Sequence, residues 1–320
     1  MFYVMLLIIG IIIFSGESSR QIFTGATNLE NLTRQMALLG LFAIGETIVI
    51  IAGGIDLSVG SLIALIGVIA SIFMSSLDTN GFVGFGWGWI PTILACLFFS
   101  VLFGLFNGYL VAYWGLPPFV VTLGTMSLMR GIAKLLTSSI TISITDETFN
   151  SLGNGKIPAL LGFEIPIPVI ILIFISIAVG MFMKYTIFGK YFYALGSNET
   201  ATQFSGVNVK RVKLLAYTLC SLLAGLGGIV FASYNRLGDP GGGIGYELNA
   251  IAAAVVGGAS LTGGEGSVSG TLIGTAILCI ILNGLNIVIK RNASLWEGVI
   301  VGIVVIAAVS INHFRQRRQG

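Results

Sequence analysis

MALLGLFAIGETIVIIAGGIDLSVGSLIALIGVIASIFM, residues Met36–Met74, decides how the rest of the chain is read. Two apolar runs, Met36–Gly53 and Ser58–Met74, approach the roughly 20 residues that cross a bilayer, and a glycine-rich polar turn joins them. Gly53 and Gly54 permit a non-helical turn. Asp56 and Ser58 offer oxygens to cap the helix that restarts, and the helix dipole favours the Asp56 carboxylate there. The stretch therefore reads as a helix that breaks at Gly53-Gly54 and starts again.

The same composition runs outward in both directions. Of 320 residues, 55% are hydrophobic and only 9% charged, with a mean hydropathy of +0.98, whereas soluble domains carry roughly 25% charged residues. A water-soluble fold is excluded. The apolar runs predict about ten spans: Met1–Phe14, Met36–Gly53, Ser58–Met74, Ile90–Trp114, Phe119–Thr137, Ile167–Met183, Val212–Tyr234, Leu248–Leu261, Val268–Ile289 and Leu295–Asn312. Leu248–Leu261 is short enough to be re-entrant. Met1–Phe14 lacks the basic flank and cleavage site of a signal peptide, so it counts as a short first span.

Positive residues stay on the cytoplasmic side of a membrane protein. Lys184, Lys190, Lys210, Arg211 and Lys213 form one cluster, and Arg315, Arg317 and Arg318 another, four spans later. Both are expected inside, which puts both termini in the cytoplasm and the polar segment Ser138–Pro166 outside; Lys290 and Arg291 run against the rule.

Composition also removes whole classes of chemistry. The one histidine, His313, lies in the polar tail, which leaves no Ser-His-Asp triad or His-based metal site. Cys96, Cys220 and Cys279 fall singly in apolar runs, without a CxxC pair, and read as small buried hydrophobes. Neither Gly155-Lys156 nor Gly189-Lys190 continues into the phosphate-gripping GxxxxGK[ST] loop. The chain is not expected to be an enzyme, to bind a metal or cofactor of its own, or to bind nucleic acid. Gly104-x-x-x-Gly108, Gly270-x-x-x-Gly274 and the Gly225, Gly227, Gly228 group read as close helix packing, with a direct part in gating as the alternative.

The turn after the second span has an echo. Gly257-Gly258-Ala259-Ser260-Leu261 repeats the GG-x-x-L of Gly53–Leu57, and each is followed by Ser-Val, at Ser58-Val59 and Ser267-Val268. Internal duplication is common in transporters, whose sites form where broken helices meet. The long polar stretch Lys184–Lys213 is the second informative region. Ser197 or Asn198 can cap a short helix Glu199–Phe204, and Gly206 can end it. So short a helix does not hold itself together in water, and docking into a partner's groove is one purpose for it; an ordinary interfacial loop is the other.

Three runs carry a resemblance: IIAGGIDLSVGS (Ile50–Ser61), ALGSNETATQFSGVNVKRVK (Ala194–Lys213) and GYELNAIAAAVVGGASLTGGEGSVSGTLIG (Gly245–Gly274). Together they resemble the permease subunit of a bacterial ATP-binding-cassette (ABC) importer of the ribose/galactofuranose type, over nearly the whole chain and in the right order. The resemblance implies an all-α, polytopic single domain over residues 1–320, in the bacterial inner membrane, with a cytoplasmic coupling loop at about 185–211. It implies partners as well: a second permease copy or paralogue, cytoplasmic ATPase subunits that bind ATP and Mg, and a periplasmic sugar-binding protein. Asn198, Glu199, Thr200, Ala201 and Gly206 are then the positions expected to meet the ATPase.

Glu46 departs from the pattern, because relatives are expected to carry an apolar residue there. An ionisable group in hydrocarbon costs at least about 2.5 kcal/mol on insertion scales, so it should face a cavity or a partner, with Arg130, Lys134 and Glu247 as candidates. Groups able to meet sugar hydroxyls within the spans are Asn107, Thr122, Thr125, Asn249 and Asn283, with the aromatic Phe119 after Pro117-Pro118; each can equally serve as an interhelical hydrogen bond. The rival readings are a secondary transporter using Glu46, Asp56 and Arg130 as an ion relay, and a passive channel.

Overall fold

Residues 10, 17–75, 84–158, 164–289, 296–304, 306, 307 and 310 are described by a computed structural model. The expected first span, Met1–Phe14, falls almost wholly outside them, as do Lys290, Arg291, His313 and the basic tail. In chain order the helices are α1 (Glu17–Thr24), α2 (Ala26–Ile51), α3 (Val59–Met74), α4 (Trp89–Tyr113), α5 (Pro118–Thr137), α6 (Glu147–Asn154), α7 (Ile167–Tyr185), α8 (Ile187–Ser197), α9 (Glu199–Phe204), α10 (Val209–Asn235), α11 (Tyr246–Val256) and α12 (Val268–Val288); residues 296–304 are also helical. Two short antiparallel pairs, β1 (Ile142–Ser143) with β4 (Leu237–Gly238) and β2 (Lys156–Pro158) with β3 (Glu164–Pro166), decorate one end.

Six described helices, α2, α4, α5, α7, α10 and α12, are long and apolar enough to cross a membrane, and α3 and α11 are shorter apolar helices. This is a multi-pass, all-α membrane protein. α2 sits at the centre, with almost every residue from Ala37 to Ile51 buried. α10 packs along α4, α2 and α3, and α11 and α12 lie together against the other side of α2. Large apolar side chains stand outward on α4, α5 and α7, among them Phe98, Leu123 and Phe174, as suits helices whose solvent is hydrocarbon.

Glycine sets the helix spacing. A methyl group at Gly104 would lie 2.7 Å from the Thr218 Cα, and one at Gly108 2.9 Å from the Leu214 Cα, so both glycines press α4 onto α10. Gly227 faces the Phe42 ring, Gly228 faces Ile63 and Ile66, and Gly274 faces the Gly257 backbone. The packing reading of these motifs holds.

α2 begins at Ala26, ten residues before the apolar run. Its polar first turns are held by Glu30, which pairs with Arg34 (3.2 Å) and Lys156 (2.8 Å), and by a reciprocal amide pair between Asn28 and Asn283. Glu30 and Glu164 together hold the Lys156 amine above its ordinary pKa. Hydropathy reads only the apolar part of a helix, which is why this extension escapes it. All three cysteines are free and buried.

Candidate functional site

The decisive geometry lies at the two helix breaks and the segment between α7 and α10. At the first break α2 ends in a left-handed glycine: Gly53 has φ +83°, its N–H donates to the Ile50 carbonyl, and the Gly54 N–H reaches back to Val49. This is the Schellman pattern, which satisfies carbonyls that a helix end leaves unpaired. The second break repeats it. Gly258 has φ +96°, its N–H donates to Val255, and the Ala259 N–H donates to Ala254. The two turns are thus alike in structure, but Gly53 matches Gly258, one residue off the register in which the sequences line up; Gly54 and Gly257 flank the left-handed positions.

After the first turn the chain folds back alongside α2. The Asp56 N–H donates to the Glu46 Oε1 (3.0 Å), and the Asp56 Oδ1 accepts from both the N–H and the hydroxyl of Ser58. Ser58 stands at the cap position of α3, yet its side chain makes no cap bond: the hydroxyl is taken by Asp56 and accepts from the Asn107 amide (3.0 Å). The expected cap by Ser58 is therefore corrected, since its hydroxyl is shared between Asp56 and Asn107 of α4, whereas the Asp56 carboxylate does take a backbone N–H, that of Ser58, at the start of α3. At the second break Ser267 does cap, accepting from the Gly270 N–H (3.0 Å).

Glu46 is fully buried, with the Asp56 N–H and, at 3.9 Å, the Cys220 thiol as its partners. The expected partners Arg130, Lys134 and Glu247 are corrected accordingly. Arg130 instead donates to the carbonyls of Pro240 and Gly242, and Glu247 accepts from the Gly245 N–H (3.2 Å). These contacts fasten the glycine-rich turn that starts α11. One residue after Glu46, the Thr47 and Thr271 hydroxyls meet at 2.6 Å and tie α2 to α12.

The candidate sugar-facing residues divide. Asn107 and Thr122 come together at the first break: Asn107 is bound to Ser58, and the Thr122 hydroxyl points to the Pro118 carbonyl (3.0 Å) with that of Ile55 at 3.4 Å. Thr125, on the same side of α5, bonds its own helix. Phe119 is exposed near the start of α5. Asn249 faces Glu297 (3.5 Å) beside a cavity of about 570 Å³, and Asn283 is committed to Asn28. These two lie away from the break.

The segment from α8 to α10 forms as its residues predict. Asn198 caps α9, accepting from the Ala201 N–H (2.9 Å), and Gly206 ends it at φ +82°. Glu199 pairs with Lys213 of α10 (2.7 Å). Asn198, Glu199, Thr200, Ala201 and Gly206 are all exposed. So is Phe204, a residue 87% accessible; the sequence reading missed it, although an aromatic in so polar a six-residue helix is itself a signal. It missed α8 too, which Thr186 caps. A cleft of about 240 Å³ lies between this segment and the first break, lined by Gly53, Gly54, Ser197, Glu199, Lys213 and Tyr217 among others.

Comparison with known proteins follows the same lines. Residues 28–309 match the family described as "Branched-chain amino acid transport system / permease component". The chain belongs to this permease family. Its relatives include the ribose import permease protein RbsC of Escherichia coli (strain K12), 36% identical over 92% of this chain and 88% of the relative. RbsC of Bacillus subtilis (strain 168) is 37% identical over 91% of this chain and 86% of its own. The xylose transport system permease protein XylH of Escherichia coli (strain K12) is 32% identical over 97% and 91%. No solved structure matches. As a member of the family the chain is a transport permease component, with no enzymatic activity expected of its own residues.

Proposed function

We propose that this chain is the membrane-spanning subunit of an ATP-driven importer for a simple sugar, ribose-, galactose- or galactofuranose-like, in the bacterial inner membrane. The observation that carries the proposal is its end-to-end similarity to ribose import permeases, 36% identity over 92% of the chain. Sugar would arrive from a periplasmic binding protein, and two cytoplasmic ATPase subunits holding ATP and Mg would supply the work. This agrees with a chain that has no phosphate loop. The permease works as half of a pair with a second copy or a paralogue, and crosses the membrane about ten times with both termini inside.

Asn198, Glu199, Thr200, Ala201 and Gly206, with Phe204, meet the ATPase. A capped, exposed helix that is too short to stand alone suits docking in a partner's groove. Its displacement alternately opens the path to each side through a change in helix packing. Glu46, Asn107, Thr122 and Thr125 border that path at the first break, and Phe119, Asn249 and Asn283 border it further along. The test is co-purification of the tagged chain with its ATPase: wild type should retain it, and Glu199→Ala and Gly206→Pro should weaken retention. Equal retention by all three chains would remove α9 from the contact.

A further inference from the structure

Three stretches of backbone far apart in sequence meet at one point. They are the end of α2 (Ile51–Gly53), the end of α8 (Gly196-Ser197, immediately before the cap of α9) and the turn between α11 and α12 (Gly263–Gly266). The Gly264 N–H donates to the Ile51 carbonyl (2.9 Å), joining the two helix breaks directly. Gly196 lies against that bond. A methyl group added to it would collide with both the Ile51 oxygen and the Gly264 nitrogen. Gly263, at φ +88°, would place a methyl 2.8 Å from the Gly196 oxygen and 3.0 Å from the Gly53 Cα. The Tyr193 hydroxyl, one turn earlier on α8, donates to the Gly266 carbonyl (3.0 Å), and burial pushes its pKa above the ordinary phenol value.

Contacts of this kind transmit displacement differently from contacts between side chains. A side chain can change rotamer and absorb a shift of half an ångström, whereas opposed backbones at van der Waals distance cannot. We infer that Gly196 is a positioning residue that locks the α9 segment to both helix breaks, so that a push on α9 moves the Gly53 and Gly258 turns together. This rests on the importer reading and deepens it. The Thr47–Thr271 bond adds a second tie between the breaks, since it joins α2, which enters the first, to α12, which leaves the second.

The test uses the complete importer, with ATPase and binding protein, in proteoliposomes, and reads sugar moved per ATP hydrolysed. Gly196→Ala should leave ATPase retention and hydrolysis within about twofold of wild type while transport per ATP falls at least tenfold. Gly180→Ala, whose added methyl meets nothing within 4 Å, should change neither. Tyr193→Phe adds no atoms and removes one bond across the junction; at about 1 kcal/mol that bond corresponds to roughly a fivefold loss of transport per ATP. It decides the matter if Gly196→Ala does not accumulate. Wild-type transport per ATP in Tyr193→Phe, and in Gly196→Ala where that protein accumulates, overturns the inference. Absence of ATP-dependent uptake by the wild-type complex would instead overturn the importer reading, which the same preparation reports separately.

Discussion

Replacing Gly104 by alanine should loosen the α4–α10 seam by a calculable amount. The added carbon would lie 2.7 Å from the Thr218 Cα, 2.8 Å from the Ser221 Cβ and 2.9 Å from the Tyr217 carbonyl oxygen. None of these atoms can swing aside. Ordinary contact begins near 3.4 Å, so the helices must part by about 0.7 Å, and a gap of that size forfeits a quarter to a half of each neighbouring dispersion contact. Overpacking of this type costs about 1–3 kcal/mol, and the better helix propensity of alanine returns at most about 1 kcal/mol. Gly180→Ala receives the propensity gain without the clash. The two variants should therefore differ by about 2 kcal/mol, roughly a 30-fold difference in the folded-to-unfolded ratio. Thermal or denaturant unfolding of the two purified proteins in the same detergent measures the difference. Equal stabilities, or a Gly104→Ala protein more stable than Gly180→Ala, would refute the claim that Gly104 sets the helix spacing.

Other consequences are as specific. Asn198→Ala should cost α9 about 1 kcal/mol of cap energy and lower ATPase capture, whereas Asn198→Asp, an equally good cap, should restore it; binding titrations of the three chains check both. A double-mutant cycle of Thr47→Val and Thr271→Val should show a coupling of about 0.5–1.5 kcal/mol, the value of a buried neutral hydrogen bond, and additive effects would mean that the 2.6 Å contact carries no energy. Cys96, Cys220 and Cys279 are buried, so a maleimide should label none of them in the folded protein and all three in denaturant, as mass spectrometry would count. The Glu199–Lys213 pair is partly exposed and worth no more than about 1 kcal/mol; removing Lys213 alone should weaken ATPase capture less than removing Asn198.

Much of the account is legible in the residues because the physics there is local. A cap, six residues and a glycine define α9 from Asn198 to Gly206 without reference to anything else in the chain. Hydropathy finds α4, α7 and α12 for a related reason, since each is apolar along nearly its whole length. It misplaces the start of α2, where a polar turn is kept helical by Lys156 and Asn283 from remote segments. The partners of Glu46 escape in the same way. Arg130 and Lys134 attract attention as charges, but the groups that meet Glu46 are a backbone N–H brought back by the fold of the first break and the Cys220 thiol of α10. The glycines of the junction are visible as letters only; what makes Gly196 matter is the distance to Ile51 and Gly264, from opposite ends of the chain. The echo between the breaks is legible, although its structural register is shifted by one residue.

ATP-dependent sugar uptake by the purified permease, reconstituted with its ATPase and binding protein, tests the central claim most directly. The account predicts uptake of a ribose- or galactose-like sugar that requires all three components and ceases when ATP is withdrawn. Uptake by the permease alone at the full rate, whether driven by an ion gradient or running only downhill, would contradict it.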